Sequence, residues 1–215
     1  KANPTKGKAI KQEIESKPSR DVYEFWPSLV FGLQDSGGNY DEEIITNIKS
    51  EIAFKVSAGF RAANIFEPTD REFFYESINK HIDFERFKGL LEDIDWAHLF
   101  IFCARNLAKH SDFKEHLELL LQVKSESMYF AVARILNKEI TIENHNKLYL
   151  LFIDHLAKTP IENANVYNSI NFIFKEHYSK HPEIITQFLE KWIDCQLPEA
   201  KNIKSLGHLL NDFLN

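Results

Sequence analysis

Cysteine is scarce in this chain. Only Cys103 and Cys195 occur in 215 residues, and a secreted disulfide scaffold of small size would be far richer. Each sits within an apolar helical pattern, so both are expected as buried thiols acting as small hydrophobes. Long hydrophobic runs are absent as well. The longest, Leu99 to Ala104 and Leu148 to Ile153, fall far short of the roughly eighteen apolar residues that argue for a membrane span. No signal-peptide pattern is visible, and the single Asn-x-Ser/Thr match, at Asn3, has Pro4 in its middle, which disqualifies it for glycosylation. A soluble, cytoplasmic protein is the expectation. There is no phosphate-cradling glycine loop, no nucleophile elbow and no zinc-knuckle spacing.

What is present is a globular composition: 44% hydrophobic and 27% charged residues. A chain of this size buries roughly 70% of the surface it exposes when unfolded, so its core needs neither metal nor disulfide. Charge is unevenly spread. Residues 1–20 hold six basic side chains (Lys1, Lys6, Lys8, Lys11, Lys17, Arg20) against Glu13 and Glu15, a net of +4; with −6 overall, the remainder carries −10. So acidic a body opposes generic nucleic-acid binding. The chain opens on lysine instead of methionine, which suggests a piece of a longer protein.

Punctuation along the chain is helical. Residues 1–19, with Pro4, Gly7 and Pro18 among lysines, read as a basic flexible tail or linker. Pro27 suits the first position of a short helix running to about Gln34, followed by a turn at Ser36 to Gly38. Ile44, Ile45, Ile48, Ile52 and Val56 recur with the period of one helix capped by Asn39 or Asp41. Thr69 and Glu72 form a capping box. Further starts are marked by Asp83, Asp95, Ser111, Ser125, Thr141, Thr159 with Pro160, Pro182 and Pro198. Taken in pairs, these eight helices begin near residues 83, 111, 141 and 181. Intervals of about 28, 30 and 40 residues suit helical-hairpin repeats, although no repeat consensus recurs. The expected fold is all-α: stacked antiparallel helical hairpins in a HEAT/ARM-like solenoid, or else an irregular helical bundle. Residues 20–215 are expected as one helical domain, with 64–70 the place for any sub-boundary.

The candidate chemistry is thin. His177 and His181 are four apart, as a metal pair on one helix would be, but Pro182 makes His181 a cap and places the pair across a turn. His155, beside Leu151 and Phe152, is expected as a half-buried histidine with its nitrogen satisfied, since adjacent Asp154 points about 100° away on a helix. His98 and Asp95 are expected as a first-turn surface pair. The Ser-x-x-Lys spacing occurs twice, at Ser77 to Lys80 and Ser111 to Lys114, and Ser111 is better employed as a helix cap. The acid clusters Asp41-Glu42-Glu43 and Glu92-Asp93-Asp95 are expected on solvated helix ends. No catalytic residue, metal ligand or cofactor is assigned.

One distributed feature remains. Arg105 and Lys109, Arg134 and Lys138, and Lys175 and Lys180 each fall late in the second helix of a pair. In a solenoid they would form a basic ridge for an acidic partner or a phosphate backbone; cations near helix C-termini also stabilise the dipole wherever they occur. The expected function is a non-catalytic helical-repeat scaffold that binds another protein, with no membrane; the sequence assigns no oligomeric state. A nucleic-acid-binding module using the ridge, or an enzyme without a recognisable motif, are the alternatives.

Overall fold

Helix N-termini leave backbone N–H groups without partners, and in this chain short polar side chains supply them. Asp83 Oδ1 accepts from the N–H groups of Glu85 and Arg86 at 3.0 and 3.1 Å. Ser125 Oγ accepts from Met128 at 3.3 Å. Thr141 and Asn144 form a reciprocal box, with bonds of 2.7 and 3.3 Å. The computed structural model describes residues 3–65, 72–108, 110–136, 138–158 and 180–196. Among them lie twelve α-helices: α1 Pro4–Ser16, α2 Arg20–Tyr23, α3 Trp26–Asp35, α4 Asp41–Ile48, α5 Ala53–Ile65, α6 Glu72–Asn79, α7 Phe84–Lys88, α8 Asp93–Asn106, α9 Phe113–Leu120, α10 Glu126–Ile135, α11 Ile142–Leu156 and α12 Pro182–Gln196. No strand occurs among the described residues, which hold one isolated bridge between Leu136 and Ile140. The all-α expectation is met. Thr69, Thr159, Pro160 and Pro198 lie outside the described residues.

The chain divides into two compact units, Lys1–Leu120 and Leu121–Asn215. In the first, α5 is the hub, packed against α2, α3, α4 and α8; α1 lies on α2 and α3, α4 also meets α6, and α8 meets α9. Aromatic rings fill the interior. Phe60 contacts Phe102 and Phe87 at centroid distances of 5.5 and 6.0 Å, and Phe102 meets Phe113 at 5.3 Å. This cluster joins residues on both sides of 64–70. Each buried aromatic of this kind contributes roughly 1.5–3 kcal/mol through removal of apolar area from water.

Close approach of α4 to α5 depends on Gly59. A Cβ there would stand 2.7 Å from Ile48 Cγ1, 3.0 Å from the Ile48 nitrogen and 3.1 Å from the Ile44 carbonyl. The single helix expected over residues 44–56 is in fact two. Arg86 ends the first, donating to the carbonyls of Ile48 at 2.9 Å and Lys49 at 3.1 Å. Those groups would otherwise be partnerless at a helix C-terminus. Ser50 Oγ then accepts from the Ile52 N–H at 3.1 Å just ahead of α5.

Residues 4–16 also depart from expectation, being a packed helix instead of a flexible tail. Asn3 Oδ1 accepts from Thr5 and Lys6 at 3.1 and 3.2 Å, with Pro4 suited to the first turn. Ile14 and Lys11 are buried. The Lys11 ammonium is neutralised by Glu15 at 2.8 Å and by Glu43, and Glu15 also accepts from the Trp26 indole at 3.0 Å. Charge that looked solvated in the sequence is paired across helices.

In the second unit α11 packs against α10 and α12. Met128, Val132 and Ile135 of α10 are buried, as are Leu148, Phe152 and Leu156 of α11 and Ile185, Phe188 and Trp192 of α12. Asp154 ties α11 to α12 through Lys191 at 2.7 Å, and pairs with Lys158 at 2.9 Å within its own segment. These hydrogen bonds, from Lys191 first and Lys158 second, hold the Asp154 carboxyl below the usual range.

Candidate functional site

In the first unit a cleft of about 190 Å³ lies between α2, α5 and α8. Arg20, Asp21, Tyr23 and Glu24 line it from the α2 side, Phe54, Ser57, Ala58 and Arg61 from α5, and Ile94 and His98 from α8. Ser57 and Arg61 are four apart in sequence, so they share one face of α5.

Two polar pairs organise the walls. Arg20 grips Asp95 with two 3.1 Å bonds, Nη1 to Oδ1 and Nη2 to Oδ2, and reaches Glu92 at 3.1 Å. Asp95 is wholly buried, at 0% exposure, and accepts in addition from the Glu92 N–H at 3.1 Å. Ser57 Oγ and His98 Nδ1 share a 2.7 Å hydrogen bond. Burial, reinforced by the nearby charge of Arg61, pushes the His98 pKa down to about 4. The imidazole is therefore neutral at pH 7.

These contacts correct two expectations. Asp95 and His98 are not a surface pair: one side chain turns to Arg20 and the other to Ser57. The second acid cluster is not simply a solvated helix end either, because Asp95 is buried and Glu92 is ion-paired. No sequence signal joins Ser57 to His98, 41 residues away.

A serine beside a histidine invites comparison with nucleophilic catalysis. In that chemistry an acid orients the ring nitrogen opposite the serine and stabilises the imidazolium that forms. Here the acid in reach by sequence, Asp95, has both oxygens engaged by Arg20. With its pKa near 4, His98 is also a weaker base than the near-neutral value that favours general-base work. The pair is better suited to binding than to proton abstraction.

The other candidate residues fall elsewhere. Arg105 is exposed in the last turn of α8, Arg134 is exposed in the last turn of α10, Lys138 lies in the turn that follows, and Lys180 is exposed just before α12. Arg134 and Lys138 are thus placed together at one helix end, whereas Lys180 approaches a helix start. Lys109 and Lys175 lie outside the described residues, as does His177. His181 accepts backbone bonds from Ile184 and Ile185 at 3.1 and 3.3 Å, as a residue ahead of Pro182 should. No group of three or more metal-ligating side chains occurs among the described residues. No side-chain hydrogen bond joins Ser77 to Lys80 or Ser111 to Lys114 among the described residues; the Lys114 N–H donates to the Ser111 carbonyl at 3.0 Å, and α9 begins at Phe113.

His155 is more buried than expected, at 4% exposure, and its Nε2 has no hydrogen-bond partner. Its ring lies 4.9 Å from that of Tyr129. Burial pushes its pKa to about 4, the usual outcome for a base sunk in apolar surroundings. Of the two thiols, Cys103 is buried and Cys195 is exposed; burial raises the Cys103 pKa. No helix among the described residues is long and apolar enough to cross a membrane. Neither family models, nor curated proteins, nor solved structures give a match to this chain.

Proposed function

We propose that the chain is a non-catalytic helical module that recognises another protein, and that the α2, α5 and α8 cleft is its recognition face. One observation carries the reading: the segments walling that cleft hold apolar side chains in water. Phe25 is 68% exposed, Ile94 45% and Val22 38%. Isolated exposed apolar residues are ordinary, but Ile94 lines the cleft itself and Val22 and Phe25 flank the lining residues Tyr23 and Glu24 in sequence, and apolar surface gathered at a concave site marks an interaction surface. Tyr23 and Phe54 in the lining add the aromatic character enriched at interfaces. The packing of α5 against four other helices favours the irregular-bundle form of the architecture for this unit over a strictly stacked array. The acidic body disfavours the nucleic-acid alternative, because its field repels a phosphate backbone.

Selection from a random-peptide display library on the immobilised protein tests this. Enriched peptides are expected to bind the wild type and to lose about tenfold or more in affinity on Phe25→Asp, the change typical of an interface anchor. Failure of Phe25→Asp and Val22→Asp to weaken any enriched peptide would overturn the proposal. So would tight, salt-sensitive binding of a random duplex that Arg134→Glu reduces, since that outcome assigns function to the basic ridge.

A further inference from the structure

We infer that the cleft accepts a carboxylate on the Arg61 guanidinium, presented at the end of a peptide segment that carries a basic residue beside it. This rests on the recognition reading above and names the partner's chemistry.

The two arginines in the cleft are in different states. Arg20 is engaged by Asp95 and Glu92. Arg61 is half-buried on α5, and no carboxylate among the described residues pairs with it. A partly desolvated cation without a partner is unfavourable, and a planar guanidinium matches a carboxylate through two parallel bonds. Behind it stand Ser57 and His98, hydrogen-bonded to each other. When Ser57 donates to Nδ1, the other ring nitrogen carries a proton and is a second donor. Because the ring is neutral, it adds a hydrogen bond without adding charge.

The rest of the lining restricts what can bring that carboxylate. Asp21 and Glu24 line the cleft from α2 and are exposed. They repel a bare polyanion and favour a ligand with positive charge next to its carboxylate. Tyr23, Phe54, Ala58 and Ile94 offer apolar surface for one side chain. A volume of about 190 Å³ is below the roughly 300–1,000 Å³ of drug-sized ligand pockets. It suits a chain terminus better than a cofactor.

The test uses the dipeptide N-acetyl-Lys-Leu, titrated as free acid and as C-terminal amide while the Arg61 Nε–H and His98 ring signals are followed by NMR. The acid is expected to shift both sets saturably, and the amide to bind at least about tenfold more weakly, the size expected for losing a hydrogen-bonded charge. N-acetyl-Glu-Leu should also be weaker. Arg61→Gln, followed on the His98 signals, should bring acid binding down to about that of the amide and so abolish the preference between them, whereas a misfolded variant would bind neither. Equal binding of acid and amide, or an acid preference that survives Arg61→Gln, would overturn the inference. Inorganic phosphate saturating the same signals at lower concentration would replace it with a generic anion site, and free leucine binding as tightly would remove the peptide. Displayed peptides that need Phe25 but not Arg61 would sink this inference and leave the recognition reading standing. Acid binding at Arg61, with no displayed peptide needing Phe25 or Val22, would do the reverse.

Discussion

Arg20 and Asp95, 75 residues apart, are joined by two parallel 3.1 Å hydrogen bonds that fasten α2 to α8. The carboxylate is wholly buried while the Arg20 side chain is 38% exposed. The partners therefore differ in what each loses when the other is removed. Without Arg20, Asp95 is an unpaired charge in the interior; without Asp95, Arg20 still reaches water and Glu92.

That asymmetry gives the first prediction. Arg20→Gln should destabilise the protein by about 2–3 kcal/mol, below the range for fully buried pairs because Arg20 is partly screened by solvent. Adding Asp95→Asn should recover part of the loss, because the stranded charge is gone. Urea denaturation of the two single variants and the double variant measures the coupling. Strict additivity would show that the pair does not act as a unit.

Gly59 makes a separate case. A methyl group there meets backbone of α4, which cannot rotate away. Gly59→Ala should cost about 1–3 kcal/mol, the range for overpacking, despite the better helix propensity of alanine. A rise in melting temperature would mean that α4 and α5 can separate freely.

Acid should weaken the fold through its buried histidines. His98 and His155 titrate near 4 when folded, against about 6.5 in an unfolded chain. Between those values the unfolded state binds more protons, so stability falls as pH drops from about 6.5 toward 4 and the contribution is complete above that window. His98→Asn should reduce the slope of stability against pH between 7 and 5. An unchanged slope would place His98 in water. Asp154, whose pKa is lowered, acts in a different window: it stabilises above the usual carboxylate pKa and loses that contribution only in stronger acid.

The thiols should differ in reactivity. A maleimide should label Cys195 in the native protein and reach Cys103 only on unfolding, because the thiolate form and access both govern the reaction. Mass spectrometry before and after denaturant counts the labels. Two rapid labels under native conditions would contradict the burial of Cys103.

Helix starts at Asp83, Ser125, Thr141 and Pro182 were legible in the sequence because a cap and the stripe it introduces lie within a few residues of each other. The same local logic made the composition of α10, α11 and α12 readable, and the absence of a catalytic motif or membrane-length stretch needed no structure. Pairings between distant residues had no such signature. The break after Ile48 is made by Arg86, whose guanidinium reaches its carbonyl 38 residues back, and nothing in the run of isoleucines announces it. The tail at residues 4–16 became a packed helix because Glu43 meets Lys11. The cleft exists because Arg20 reaches Asp95 and Ser57 reaches His98. Sequence spacing encodes interactions three or four residues apart, where helical geometry fixes the neighbours. Contacts 38, 41 or 75 residues apart require the chain to close loops against entropy, so only the packed tertiary structure decides which polar groups meet.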